Sequence, residues 1–282
     1  MRLYREGLGW RPTATFRGLV ARDLAQLGHA LGGLSPHAPY SVSAGLGGWL
    51  VRTAVAGHLP VAMHLAESRA EAEFVATGAG PFQDLLAGLG VWPISPAPRL
   101  HSAADWISQL ARAPRGSVVH GTFLDEQALG RLIRHRDRLC LVVCPRTTLR
   151  LAGALPALAQ WAQAGIRLAV GTDSRASNPD LSILAECRTL VEAGLMSPTE
   201  ALQAATRGGA WSLMLEHRCG QLAVGRPADF VVLQAPSGYA DPHAAALDPA
   251  TRVLATVRGG RLIFGELSSR GSIAGSWQSA SR

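Results

Sequence analysis

An α/β fold of the (β/α)8 TIM-type barrel class, lacking its first strands and followed by a small C-terminal β satellite, is predicted by three features of this 282-residue sequence. Short apolar runs bounded by turn residues alternate with longer segments of helical period, the pattern of repeated βα units and a parallel sheet. Three of those runs close on groups with chemistry: Pro60 to His64, Ser117 to His120 and Ile166 to Asp173. Groups offered from the C-terminal ends of parallel strands converge on one mouth of a barrel, where its chemistry is built. Beyond Gly220 the texture changes to short β-like pieces, which predicts the satellite.

In chain order, Arg2 to Arg5 reads as a strand stub, and further strands end near Ser35, His64, His120, Cys144 and Asp173. Helical period predicts helices over Thr15 to Ala30, Ser43 to Ala56, Ser68 to Ala87, Ala103 to Ala113, Asp125 to Arg134, Leu155 to Ala164 and Leu181 to Ala193. Ser197-Pro-Thr-Glu200 is a helix start, with Ser as cap, Pro in the first turn and Glu three residues on, and that helix runs on to Gly208. Asp229 to Leu233, Arg252 to Val257 and Leu262 to Phe264 read as satellite strands, with a hairpin turn at Gly259-Gly260. A closed barrel needs eight strands, and about two are missing from this count, both at the N-terminal end. The expectation is that the gene product begins upstream of Met1. The domain reading is a partial barrel over 1–215, a partial β-sandwich satellite over 216–266 and a disordered tail over 267–282, rich in Ser, Gly and Arg.

Composition narrows the function. All 27 basic residues are arginine and none is lysine, so the net charge of +7 reads as compositional drift. The one cluster, Arg131 to Arg138, reads as a solvated helix face. Without a basic stripe interleaved with aromatics, nucleic acid is not an expected partner. No stretch of eighteen apolar residues and no signal-peptide core are evident, so neither a membrane partner nor export is expected, and the chain is placed in the cytoplasm. Cys140, Cys144, Cys187 and Cys219 lack zinc-ribbon spacing and read as reduced, mostly buried thiols. Cys144 as a nucleophile is outweighed by Cys144 as core. Trp92, Trp106 and Trp161 are read as core before pocket.

The candidate site starts from His64-Leu-Ala-Glu67, an imidazole and a carboxylate three residues apart at a strand end. One suits a divalent metal and the other proton transfer, the requirements of metal-assisted hydrolysis. The competing reading makes Glu67 the first-turn charge of the next helix. His120 is a ligand, an imidazolium opposite developing negative charge, or a buried histidine bonded to backbone. Asp173 closes a hydrophobic run, where a carboxylate is costly to bury without a metal or cation. Asn178 is the sole asparagine in the chain and is read as holding the Asp173 loop, against an ordinary Asn-Pro turn. Ser35 to Tyr40 is a loop stiffened by two prolines that can present His37 and Tyr40 to a cavity.

Together, Ser35 to Tyr40, His64-Leu-Ala-Glu67, Val119-His-Gly121, Cys144-Pro-Arg146, Gly171-Thr-Asp173 with Ser177-Asn178, and Gly220 to Phe230 resemble the amidohydrolase superfamily. The likeness is to its cytosine-deaminase-like and chlorohydrolase-like branch, which includes adenosine, S-adenosylhomocysteine and aminofutalosine deaminases. It spans about residues 30 to 235 in order and spacing. The resemblance implies one divalent metal, zinc or iron, bound by His64 and Asp173. It makes Glu67 the proton shuttle, His120 the group that polarises the attacking water and Asp173 the acceptor of its proton, with His37 and Arg146 as substrate contacts; Tyr40, on the stiffened loop, and Ser177, beside Asn178, are read as further substrate contacts. The implied reaction is hydrolytic deamination of a small heterocycle such as an aminopurine nucleoside. Two departures stand out: the superfamily's first-strand His-x-His is not found among the nine histidines, and Thr147-Thr148 follow Cys-Pro-Arg in place of Ser-Asn or Ser-His. The first leaves a weakened metal site and, as the alternative, a non-catalytic remnant that binds no catalytic metal. A phosphate-binding barrel fares worse, because no glycine-rich cradle follows a late strand. Unpaired strand edges leave homo-oligomerisation open.

Overall fold

The computed structural model of the chain describes residues 2–10, 13–27, 32–92, 100–156 and 158–266. Two compact units divide it, Met1–Gln221 and Leu222–Arg282. The first is built on a six-stranded parallel sheet whose strands lie in sequence order: β1 (Leu3–Gly7), β2 (Gly32–Pro36), β3 (Val61–Leu65), β4 (Gly116–His120), β5 (Leu139–Val143) and β6 (Arg167–Val170). Among the described residues β1 and β6 are end strands, so the sheet is not closed. All five residues of β2 are buried, as expected of a parallel sheet covered on both faces.

Helices lie between the strands: α1 (Ala14–Leu27), α2 (Ala44–Ala56), α3 (Arg69–Thr77), α4 (Pro81–Gly88), α5 (Ala103–Leu110), α6 (Glu126–Arg134), α7 (Pro145–Ala152) and α8 (Leu158–Gln163). After β6 come α9 (Ile183–Glu192), α10 (Pro198–Gln203), a π-helical segment Ala204–Gly208 and α11 (Gly209–Ser212). Side-chain caps fix most starts: Ser43, Ser68, Asp125 and Ser182 each accept a backbone N–H, while Ser102 with Asp105 and Ser197 with Glu200 form full capping boxes.

Two expectations need correction, and one helix carries no sequence signal. The stretch from Ser68 to Ala87 is two helices, because Gly78 and Gly80 take φ values of 71° and 93° and Pro81 starts the second. The segment after Cys144 forms α7, too short an apolar pattern to signal itself. The run from Ser197 does continue to Gly208, but its end widens into a π turn. Ordinary helix pitch gives way there because the segment lies hard against β6: a Cβ on Gly208 would stand 2.2 Å from the carbonyl oxygen of Leu168. Gly208→Ala is therefore expected to cost about 1–3 kcal/mol, read from urea unfolding midpoints.

Trp106 is 1% exposed and Trp161 is also core, whereas Trp92 is half-buried. Cys140, Cys144 and Cys187 are buried free thiols and Cys219 is half-buried. No helix among the described residues is long and apolar enough to cross a membrane.

The second unit is an antiparallel sheet of β7 (Phe230–Gln234), β8 (Arg252–Arg258) and β9 (Arg261–Gly265), with α12 (Pro242–Leu247) between β7 and β8. Gly259 and Gly260, at φ 56° and 76°, make the two-residue turn of the β8–β9 hairpin. Residues 267–282, expected to be disordered, lie outside the described residues.

Candidate metal centre and proton-transfer site

The ends of β3, β4 and β6 deliver His64, Glu67, His120 and Asp173 to one place. Adjacent parallel strands pair Leu65 with His120, which sets the β3 and β4 ends side by side. The backbone is strained just there. Ala66, His120 and Asp173 have φ values of 55°, 72° and 56°, three of six non-glycine residues in the left-handed region among those described. Each costs about 1–3 kcal/mol, a cost that persists where the surroundings enforce it and that concentrates at functional sites.

The ring of His64 is oriented by its own strand neighbour. The carbonyl of His37 accepts both the His64 backbone N–H at 2.9 Å and the Nδ1 side of its ring at 3.0 Å. Nδ1–H as donor leaves Nε2 with a free lone pair, the arrangement that commonly orients a metal-binding histidine. His120 lies 5.6 Å away, centroid to centroid, with its ring tilted by 27°. It is 1% exposed, and neither ring nitrogen has a hydrogen-bond partner. One ligand atom from each of His64, His120 and Asp173 falls within 4.8 Å of the others. Two imidazoles and a carboxylate, one imidazole buried with both nitrogens orphaned, fit a zinc or iron ion better than an empty pocket, where the orphaned atoms carry an uncompensated desolvation cost.

Electrostatics favour the same arrangement. Burial, aided by the neighbouring His64 and opposed by Asp173, lowers the pKa of His120 to about 4, so the ring is neutral near pH 7 and the imidazolium reading loses support. Glu67 Oε1 stands 3.5 Å from His120 Nε2. Burial raises the pKa of Glu67, and the Asp173 charge adds to the rise, which moves it towards the range useful for proton transfer near neutrality.

Because the folded pKa of His120 is depressed, the unfolded chain binds its proton between about pH 4 and 6.5 while the folded chain does not. That stability is therefore present above 6.5 and lost as pH falls through the window. In chelator-treated protein, the difference in unfolding free energy between wild type and His120→Asn should rise by on the order of 3 kcal/mol from pH 4 to 6.5. Asparagine tolerates the left-handed backbone, so the variant isolates the titration.

Buried groups hold the Asp173 loop. Ser177 donates its hydroxyl to Asp173 Oδ2 and sits 3.2 Å from Thr147 Oγ1, so it meets the acid from within the protein. Asn178, fully buried, donates from Nδ2 to Glu186 Oε1 at 2.5 Å and accepts the Leu181 N–H on Oδ1 at 3.1 Å. Glu186, also fully buried, accepts the Arg146 backbone N–H at 2.9 Å and so ties the start of α7 to the loop after β6. The Arg146 guanidinium is held by Asp180 through bonds of 2.6 and 3.2 Å, so a substrate contact there would have to compete with that pair.

His37 and Tyr40 border the centre. His37 lies 5.2 Å from His64 between ring centroids and holds Ser41 Oγ at 2.6 Å, while Tyr40 stacks on Phe82 at 3.9 Å. Burial lowers the pKa of His37 and raises that of Tyr40. Sequence reasoning did not single out Glu6, Glu71 or Glu186. Glu6, next to last in β1, has an oxygen within 4.8 Å of ring nitrogens of His37 and His64. Glu71 accepts the backbone N–H groups of Ala66 and Glu67. Only Glu71 carried a signal, as the Glu of Ser68-x-x-Glu71.

The sequence profile of the amidohydrolase family matches residues 18–263. A 5-methylthioadenosine/S-adenosylhomocysteine deaminase of Shouchella clausii is 29% identical over 76% of this chain and 46% of its own length. One of Moorella thermoacetica is 31% identical over 71% of this chain and 44% of its own. The chain thus spans under half the length of these curated relatives. Among solved structures, aminofutalosine deaminase of Helicobacter pylori superposes with a TM-score of 0.82 at 25% identity, covering 93% of this chain and 67% of that one. An adenosine deaminase of Xanthomonas campestris with bound zinc gives a TM-score of 0.72 at 23% identity, covering 94% and 60%.

Proposed function

The chain belongs to the amidohydrolase family, and on that premise we propose that it carries the site of a metal-dependent hydrolase that deaminates a small heterocycle, with an aminopurine nucleoside as the substrate class. The observation that carries the reading is the meeting of His64, His120 and Asp173 within 4.8 Å, with Glu67 beside them. The names of the relatives, deaminases of methylthioadenosine, S-adenosylhomocysteine and aminofutalosine, favour a purine nucleoside. A parallel sheet in sequence order, with its reactive groups at strand C-termini, supports reading it as the wall of a (β/α) barrel.

His64, through Nε2, and Asp173 would hold one zinc or iron ion, with neutral His120 as a third donor. When bound, the ion supplies the Lewis acidity that lets water lose a proton near neutral pH. Asp173, fixed by Ser177, is placed to accept that proton. Glu67, held in its acid form longer than a free carboxyl, passes a proton to the departing nitrogen so that it leaves as ammonia. His37 and Tyr40 orient the ring, and Arg146 contributes where it exchanges Asp180 for substrate. Ser177, buried on Asp173, acts on the acid from behind.

The test is ammonia release from a panel of adenine nucleosides, aminopurines, cytosine and aminotriazines. Zinc- or iron-dependent ammonia release from an adenine nucleoside is expected. No release from any compound by metal-loaded protein would refute the reading.

A further inference from the structure

We propose that Glu71 is a positioning residue: its buried carboxylate clamps two successive backbone amides, those of Ala66 and Glu67, and thereby aims the Glu67 side chain at His120. This rests on the reading of Glu67 as the proton-transfer group. Oε1 accepts the Ala66 N–H at 2.7 Å and Oε2 the Glu67 N–H at 3.0 Å, with Glu71 only 2% exposed.

The geometry departs from ordinary helix capping in a way that identifies its purpose. Glu71 is the third residue of α3, and its own N–H bonds to the cap, Ser68 Oγ, at 3.1 Å. A glutamate at that position usually returns to the backbone N–H of the cap residue. Here the carboxylate reaches past Ser68 to the two residues before it. Those two form the turn from β3 into α3, and the first of them, Ala66, is held at φ 55°. The carbonyl of Ala66 is pinned from the other side by the Phe123 N–H at 2.9 Å, and the carbonyl of Leu65 by the Gly121 N–H at 2.9 Å. The turn is therefore fixed to the loop that follows His120 as well as to α3. Glu67 leaves this turn with its carboxylate 3.5 Å from His120 Nε2. Remove one arm of the clamp and an alanine in a disfavoured conformation is free to relax, carrying Glu67 with it.

The test compares Glu71→Gln, which keeps the shape but turns an amide NH2 donor against one of the two N–H groups, with Ser68→Ala, which removes the helix cap and leaves the clamp. Metal content, kcat, KM and amide hydrogen exchange at Ala66 and Glu67 are read for both. Glu71→Gln is expected to keep its metal and its KM, to lose about 10–100-fold in kcat, and to lose amide protection at residues 66 and 67. Ser68→Ala should lower the melting temperature while keeping kcat and that protection. If Glu71→Gln behaves as Ser68→Ala does, Glu71 only stabilises α3 and the proposal is wrong. Unchanged protection at Ala66 and Glu67 would overturn it equally. Should Glu71→Gln not fold, Glu71→Asp, whose carboxylate falls short of both amides, is read in the same way. If the wild type releases no ammonia from any substrate, the proposed function fails, while hydrogen exchange still decides whether the clamp exists.

Discussion

Glu67→Gln is expected to lower the kcat of deamination by about 10²–10⁴-fold while metal content stays at the wild-type level. Glutamine fills the same volume and accepts hydrogen bonds, but it neither releases nor takes up a proton near neutrality. The backbone that presents it, clamped by Glu71 and Phe123, is unaffected by the change. The side chain stands beside His120 and, among the described residues, joins no three-residue cluster that could hold a metal, so loss of rate without loss of metal separates proton transfer from coordination. The measurement is steady-state ammonia release with metal analysis on the same sample. A rate within a few fold of wild type would remove Glu67 from the reaction.

Asp173→Asn is expected to remove both the metal and the activity. Asparagine is at ease at φ 56° and preserves the loop, yet it withdraws the one anionic donor of the His64, His120 and Asp173 cluster. A divalent ion facing two neutral imidazoles and an amide loses its charge partner, and the remaining donors bind weakly. Binding isotherms for zinc should show wild-type affinity weakened by several orders of magnitude, with no recovery of rate at saturating zinc. Because the Asp173 charge helps to raise the pKa of Glu67, the metal-free variant should also titrate Glu67 lower than metal-free wild type. A shift in the opposite direction would mean that the two carboxylates do not share one site.

Much of this arrangement can be read in the sequence, and the physical reason is strand geometry. His64 and His120 each follow an apolar run, and a parallel sheet brings such run ends together whatever lies between them. The hairpin at Gly259-Gly260 is equally local, since two successive positive φ values call for glycine. What escapes is carried by tertiary contact. Glu186 sits in the first turn of α9, where an acidic residue is ordinary, and nothing local shows that its carboxylate joins the start of α7 to the loop after β6. Glu71 looks like a capping residue until the turn before the helix is seen folding back onto it. Glu6 stands next to last in a five-residue strand whose own sequence carries no trace of the histidines it approaches. Arg146 is legible as a cation near the mouth, but its pairing with Asp180 depends on a loop conformation set by the buried Asn178.

His64, His120 and Asp173 are proposed to hold one divalent ion together, and metal analysis after gel filtration decides the matter. Wild-type protein loaded with zinc should retain about one ion per chain, and His120→Ala should retain markedly less while keeping its fold. Wild type that comes through metal-free, or a His120→Ala variant that holds its zinc as tightly as wild type, would contradict the account.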